Sequence, residues 1–328
     1  MRYLVTGGTG FLGGHLVAAL LARGDEVVAM GRDRDKCAAL EQTGVTTIRC
    51  DLCNPEAVTA GLEGVGVVFH AAALSSPWGT YRDFHAANTA ATENVFRAAL
   101  QNGVRRVVFV SSPSVTFDGG DQVLTNETEP YARRFLSPYQ TTKKLAEDVA
   151  NQFREKIEVV IIRPKAIYGP GDNALVPRLI AAARGGRLRQ IGDGTNLVDL
   201  TYVGNVVDAL LLAAGSSRAS GRTYLITNGE HVPLWPVLCR VLDSAGFHGK
   251  LRAVPMPVAL AAAALMEWRA QWTRVEPTFT RYTVAVLGRT QTYSIEAARR
   301  DLGYAPRISV DEGIELALPW IRNLRSAP

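Results

Sequence analysis

Tyr139 and Lys143 stand four residues apart in the run Tyr139-Gln140-Thr141-Thr142-Lys143. On a helix that spacing puts a phenol and an ammonium on one face, a turn apart. A phenol keeps its proton up to a pKa of about 10, and a fixed cation beside it favours the phenolate, so proton exchange near neutral pH becomes accessible. The pair is a candidate acid/base device, although the same spacing also describes an inert amphipathic pair. Its weight comes from a second run far upstream, Thr6-Gly7-Gly8-Thr9-Gly10-Phe11-Leu12-Gly13. Gly7, Gly10 and Gly13 have the spacing of a dinucleotide loop: a tight turn, close approach of backbone to a pyrophosphate, and close packing of helix on strand. Phe11 and Leu12 open the helix whose N-terminal amides would meet the phosphates.

The elements that must position these residues are legible as an alternation. Strand-like runs at 3–6, 26–30, 46–49, 65–70, 106–111 and 158–163 are separated by helix-like stretches, which predicts right-handed βαβ crossovers and a parallel sheet covered on both faces. After Arg163 the rhythm breaks at Pro164, Gly169, Pro170 and Gly171. The expected fold is α/β: a Rossmann-type doubly wound parallel sheet over residues 1–172, with return segments near 198–230, and a smaller C-terminal α/β substrate lobe over 173–328.

Composition narrows the classes. With 328 residues, 47% hydrophobic and 20% charged, the chain can bury a full core. The net charge of +5 is spread rather than gathered in Lys/Arg runs, which gives no reason to expect nucleic acid as a partner. A strand-like run begins at Arg2, with no basic and apolar leader before it, so the expected location is cytoplasmic. The four cysteines, Cys37, Cys50, Cys53 and Cys239, are too few for a disulfide scaffold. Cys50 and Cys53 have CxxC spacing but no second pair at zinc-ligand distance, so no metal is expected. The uncharged run from Ala253 to Met266 is too short to span a bilayer and reads as a buried or substrate-facing helix, with shallow interfacial contact as the other possibility.

The choice of cofactor should fall at the end of the second strand, where NAD-binding chains place a carboxylate for the ribose hydroxyls. Here Gly31 is followed by Arg32 and, two on, Arg34, a pattern that suits the 2′-phosphate of NADP. Asp33 pulls towards NAD.

Taken in order along nearly the whole chain, these features resemble the extended short-chain dehydrogenase/reductases. The matching residues are the glycine loop, Asp51-Leu52, His70-Ala71-Ala72-Ala73, Asn88, Ser111-Ser112, Tyr139 with Lys143, and Arg163-Pro164 with Tyr168-Gly169-Pro170. The resemblance implies that Asp51 and Leu52 flank the adenine, that Ala71, Ala72 and Ala73 line the cofactor cleft with Asn88 on the next helix, and that Pro164 lies against the nicotinamide. It also implies a catalytic set: Ser112 orients the substrate oxygen, Tyr139 exchanges its proton, and Lys143 lowers the Tyr pKa while holding the nicotinamide ribose. Ser111 and Ser114 compete with Ser112, which is favoured by its place in a Ser-x-x-Val pattern. A homodimer through the helices carrying Tyr139 and Asn88 is a further implication.

Within that family, Ser111-Ser112-Pro113-Ser114-Val115, Pro77-Trp78-Gly79, the stretch from Gly192 to Val203, and Ala298-Arg299-Arg300-Asp301-Leu302-Gly303-Tyr304 resemble the 3β-hydroxysteroid dehydrogenase-like branch. They are most similar to bacterial olefin-biosynthesis reductases, which act on 2-alkyl-3-keto acids with NADPH. The implied activity is interconversion of a secondary alcohol and a ketone on an apolar body. Two other classes stay open. A nucleotide-sugar epimerase or dehydratase is disfavoured because Leu197-Val198-Asp199 lacks the phosphate-gripping arginine, although Arg187 or Arg189 could substitute. A non-catalytic NADP sensor is disfavoured by the intact Tyr/Lys pair. Candidates for the substrate wall are Ser75, Trp78, Tyr168, Trp268, Trp272 and Phe279, the last three reading equally as ordinary helix packing. Arg281 is a candidate for a substrate carboxylate or a surface salt bridge.

Overall fold

The computed structural model describes residues 1–249 and 251–325, so the last three residues of the expected C-terminal span lie outside it. Seven strands form the main sheet: β1 Arg2–Thr6, β2 Glu26–Gly31, β3 Thr46–Arg49, β4 Val67–His70, β5 Arg106–Val110, β6 Glu158–Pro164 and β7 Arg222–Ile226. Their order is β7-β6-β5-β4-β1-β2-β3, with every pairing parallel. This is the doubly wound arrangement expected from the alternation. The order reverses between β1 and β4, and the crevice beyond the C-terminal ends of those strands is where such sheets bind ligands.

The strands are near-continuous runs of Val, Ile and Leu because both faces are covered. Successive side chains serve opposite cores: Tyr3 and Val5 join one cluster, Leu4 the other. Helices α1 Phe11–Ala22 and α4 Val203–Gly215 cover the first face, and α2 Ala91–Gln101 and α3 Pro138–Gln152 the second. A buried arginine ties the sheet to α4. Arg106 Nη1 donates to the carbonyls of Ala213, Ala214 and Ser216, each at 2.8 Å, and its Nε to Glu158 at 2.7 Å. It thereby satisfies carbonyls that a helix end leaves without partners.

A third core gathers residues from Tyr168 to Ile321, including Trp235, Ala259, Ala263 and Ile314. Beside it runs a four-stranded sheet made of Gln122–Thr125, Leu197–Asp199, His231–Pro233 and Gln291–Tyr293. The uncharged run opens helix α5, Met256–Thr273. No helix among the described residues is long and apolar enough to cross a membrane.

Candidate active site

The glycine loop leaves β1 into α1 with Gly7 in left-handed backbone, φ +68°. A Cβ there would stand 2.9 Å from Ala72 Cα, and one on Gly13 would stand 2.1 Å from the Gly7 carbonyl oxygen. Neither position accepts a side chain. Gly10 caps α1 without any side-chain hydrogen bond, and the first turn holds no acidic residue. The opening amides of Phe11, Leu12 and Gly13 are therefore presented to an anion, which fits a cofactor diphosphate.

Ala71, Ala72 and Ala73 form the other wall. Thr6 Oγ1 accepts from Ala72 N at 3.3 Å and meets His70 Nδ1 at 2.7 Å, while His70 Nε2 meets Thr92 Oγ1 at 2.9 Å. Burial pushes the His70 pKa down to about 3, helped by the Lys143 charge, so this imidazole is a neutral strut. Asn88, in a π-helical stretch over His85–Ala90, accepts from Leu74 N at 2.7 Å and donates to Leu74 O and Thr142 Oγ1 at 3.1 Å each. The widened turn places one amide between the wall and helix α3.

At the end of β2 the structure separates Arg32 and Arg34 from Asp33. A side chain at Gly31 would meet Thr9 at 2.5 Å, which leaves no room for a carboxylate there. Asp33 caps the helix Arg34–Glu41, accepting from Asp35 N at 3.0 Å and Lys36 N at 3.1 Å. Arg32 and Arg34 are exposed and form no ion pair among the described residues. Beyond β3, Asp51 accepts from Cys53 N at 2.9 Å, and Leu52 is buried, its carbonyl bonded by Asn94 at 2.8 Å.

Across this cradle, β5 ends at Ser111-Ser112 and α3 faces it. Of the three serines it is Ser112, together with Ser75, that stands near enough to Tyr139 to act on its ionisation. Ser112 also accepts from Ser114 N at 3.2 Å. Lys143 is buried beneath them, donating to Val110 O at 2.7 Å with its ammonium 4.4 Å from the Phe109 ring centroid. Burial pushes the Lys143 pKa down to about 7, with Glu147 opposing. The Tyr139 pKa differs from the sequence expectation. Burial raises it, and the Ser112 and Ser75 hydroxyls lower it, while the Lys143 ammonium donates to Val110 O. The raised value keeps the phenol protonated at neutral pH.

Three participants escaped sequence reasoning. Glu147 lies one turn beyond Lys143 and takes both arms of Arg163, at 2.8 and 2.6 Å, plus the Tyr131 hydroxyl at 2.8 Å. Tyr282 stands close enough for Tyr139 and Ser114 to act on its ionisation, with its ring 6.5 Å from that of Phe117. Lys165, directly after Pro164, donates to Gln291 Oε1 at 2.6 Å and lies 5.6 Å from the Tyr293 ring centroid, with no carboxylate at ion-pair distance among the described residues. Burial pushes its pKa down to about 8. The i, i+4 spacing of Glu147 from Lys143 was the one signal available in advance.

The substrate-wall candidates have different surroundings. Tyr168 is buried in the third core with its hydroxyl on Val310 O at 3.0 Å, so its polar end is already used. Arg281 is committed to Glu267, which bonds both its backbone amide and its Nε at 2.7 Å. Trp268 and Trp272 are exposed, neither packed nor walled in, and Phe279 packs on the third core. Trp78 is half-buried, its carbonyl held by Ser76. Arg189 bonds the carbonyls of Gly186 and Leu188 through Nη1, and the exposed Arg187 bonds Thr278 at 3.4 Å.

Residues 4–256 match the 3-beta hydroxysteroid dehydrogenase/isomerase family. The chain is similar to a 2-alkyl-3-oxoalkanoate reductase of Stenotrophomonas maltophilia, 40% identical over 96% of this chain and 97% of the relative. It is also similar to the human sterol-4-alpha-carboxylate 3-dehydrogenase, decarboxylating, at 35% identity over 99% and 89%. Among solved structures, MoeE5 in complex with UDP-glucuronic acid and NAD superposes with a TM-score of 0.77 at 30% identity, covering 98% of this chain and 99% of that one.

Proposed function

The chain belongs to the 3-beta hydroxysteroid dehydrogenase/isomerase family and is an NAD(P)-dependent oxidoreductase; from that premise we propose that it reduces the ketone of an apolar 3-keto acid with NADPH, reversibly. The observation that carries this reading is the position of Ser112 near enough to Tyr139 to act on its ionisation, opposite the glycine cradle. When bound, the nicotinamide supplies the hydride. Ser112 and Tyr139 converge on the substrate oxygen, and Tyr139, protonated at neutral pH, donates its proton as negative charge grows there. Lys143, one turn along the same helix, would hold the nicotinamide ribose. Pro164 closes the wall beside the ring. Homodimerisation through α2 and α3 belongs to the same reading.

The free guanidiniums of Arg32 and Arg34, with Asp33 occupied as a cap, support NADP over NAD. Arg32→Ala is expected to raise the KM for NADPH roughly tenfold or more while leaving that for NADH in place, since a charge-assisted bond to phosphate is worth about 1.5–3 kcal/mol. Equal losses with both cofactors would place Arg32 outside the site.

The two relatives' names share one chemistry: a carboxylate on the carbon next to the one oxidised or reduced. With Arg281 committed to Glu267, the cation left near Pro164 is Lys165. Lys165→Met is expected to raise the KM for a 2-alkyl-3-keto acid roughly 10- to 100-fold, with little change for the matching methyl ester. Equal behaviour of acid and ester in the variant would remove Lys165 from recognition. The test of the whole reading is NADPH consumption across 3-keto acids, ketosteroids and sugar nucleotides. A sugar-nucleotide epimerase would convert its substrate with no net loss of NADPH.

A further inference from the structure

The turn after β5 carries a second serine that the proton-transfer pair does not use. Residues Pro113–Thr116 form a single 3₁₀ turn. Gln140, wholly buried on α3 next to Tyr139, locks that turn in place, its Nε2 donating to Ser114 O at 2.8 Å and to Phe117 O at 2.7 Å. Ser114 is 8% exposed, and its Oγ is buried without a hydrogen-bond partner among the described residues. A buried hydroxyl is costly to leave unpaired, so an orphan held this firmly beside a reaction centre points to an oxygen that arrives with a ligand.

A second phenol approaches it from the outer lobe. Tyr282 stands in the first turn of the helix Arg281–Gly288, whose start is fixed by a capping box between Thr280 and Thr283 and by the bond from the Arg281 amide to Glu267 at 2.7 Å. Its ring lies edge-on to Phe117 with centroids 6.5 Å apart, and Tyr139 and Ser114 are both near enough to act on its ionisation. Since Ser114 Oγ has no partner, the two hydroxyls are neighbours without being bonded. Burial raises the Tyr282 pKa, Tyr139 adds to the rise and Ser114 opposes it, so this phenol is protonated at neutral pH and can donate. Two hydroxyl pairs thus stand side by side, Ser112 with Tyr139 and Ser114 with Tyr282, each joining a serine of the β5 turn to a tyrosine of a facing helix. Tyr293 neighbours both Tyr282 and Lys165, which puts the cation on the same flank of the site as the second pair.

We propose that Ser114 and Tyr282 form a second oxygen-binding subsite beside that of the ketone, taking an oxygen of the carboxyl group on the neighbouring substrate carbon. The proposal rests on the reduction of a 3-keto acid and divides the labour within it: Lys165 answers the charge of the carboxylate, and the two hydroxyls fix how the group is turned relative to the ketone. The test is steady-state reduction with NADPH of three ketones matched in their alkyl chains: a 2-alkyl-3-keto acid, its methyl ester, and the ketone in which hydrogen replaces the carboxyl group. The parent is expected to favour the first two in kcat/KM, because a site built to bond an oxygen discriminates against an analogue lacking it. Tyr282→Phe and Ser114→Ala should each cut that preference roughly 5- to 10-fold, for acid and ester alike. The double variant should lose less than the product of the two, since both bonds end on one group. Parity of acid and ester separates this subsite from Lys165, whose replacement is read by the difference between them. Parental NADPH affinity in both variants is the check on folding. An equal loss on all three ketones overturns the proposal and makes Tyr282 a support for Tyr139. A parent without the preference, or variants that keep it in full, overturns it too and leaves Tyr282 as apolar wall. A parent that reduces none of the three overturns the functional reading and the subsite with it, a failure seen before any variant is made.

Discussion

Tyr139→Phe is expected to lower kcat for ketone reduction by roughly 10²- to 10⁴-fold, the range over which a positioned proton donor contributes. The substitution removes one oxygen and leaves the ring against Phe84, whose centroid is 6.4 Å away. Cofactor affinity, measured by quenching of protein fluorescence on NADPH titration, should stay within about twofold, because the cradle is built from Gly7, Gly10, Gly13 and the Ala71–Ala73 wall rather than from the phenol. A variant that turns over at the parental rate would remove Tyr139 from the chemistry. Since burial raises the phenol's pKa, the reductive direction should hold its rate across neutral pH as far as this residue sets it.

Glu147→Gln is expected to be the most destabilising single change near the site, by about 3–5 kcal/mol, because it strands the Arg163 guanidinium in the core. Both partners are almost wholly buried. Burial alone would raise the Glu147 pKa, and the Arg163 hydrogen bonds and charge more than offset that, holding the carboxyl below its usual range. The urea midpoint reads the loss. Glu147→Gln/Arg163→Met should recover much of it, since removing both charges leaves no orphan. A second readout separates positioning from simple stability. Glu147 supports the Lys143 charge against burial, so in the single variant the Lys143 pKa should move further below about 7. If the ammonium form is the active one, the alkaline limb of kcat then moves to lower pH. A pH profile identical to the parent's would show that Glu147 supports the fold alone.

The sheet and the cradle were legible in the sequence because they rest on local rules. Val-rich runs bounded by turns give parallel strands, and glycine spacing after a strand gives the loop. Arg222–Ile226, within the return segments expected near 198–230, is the seventh strand of the main sheet, although its partner β6 lies about sixty residues upstream. Side-chain surroundings were less legible for the same reason: the Tyr168 hydroxyl meets Val310 and Arg281 meets Glu267, residues no local pattern links to them. Lys165 belongs to no sequence motif, and its surroundings come from Gln291 and Tyr293, more than a hundred residues downstream. Trp268 and Trp272 show the reverse case, where an apolar helix that reads as buried is left in solvent by a seam made of alanines.

The Asn88 amide has a mechanical meaning. It ties Leu74, at the end of the cofactor wall, to Thr142, beside Lys143 on the helix that carries Tyr139. On the proposed function, this amide bolts into one frame the wall beside the hydride source and the helix that would deliver the proton. Reaction rates tolerate little relative misplacement of the two, roughly 10²-fold for 1 Å. Because the tolerance is fixed within this frame, the outer lobe is free to diversify for different apolar bodies without retuning the distance at which hydride and proton arrive.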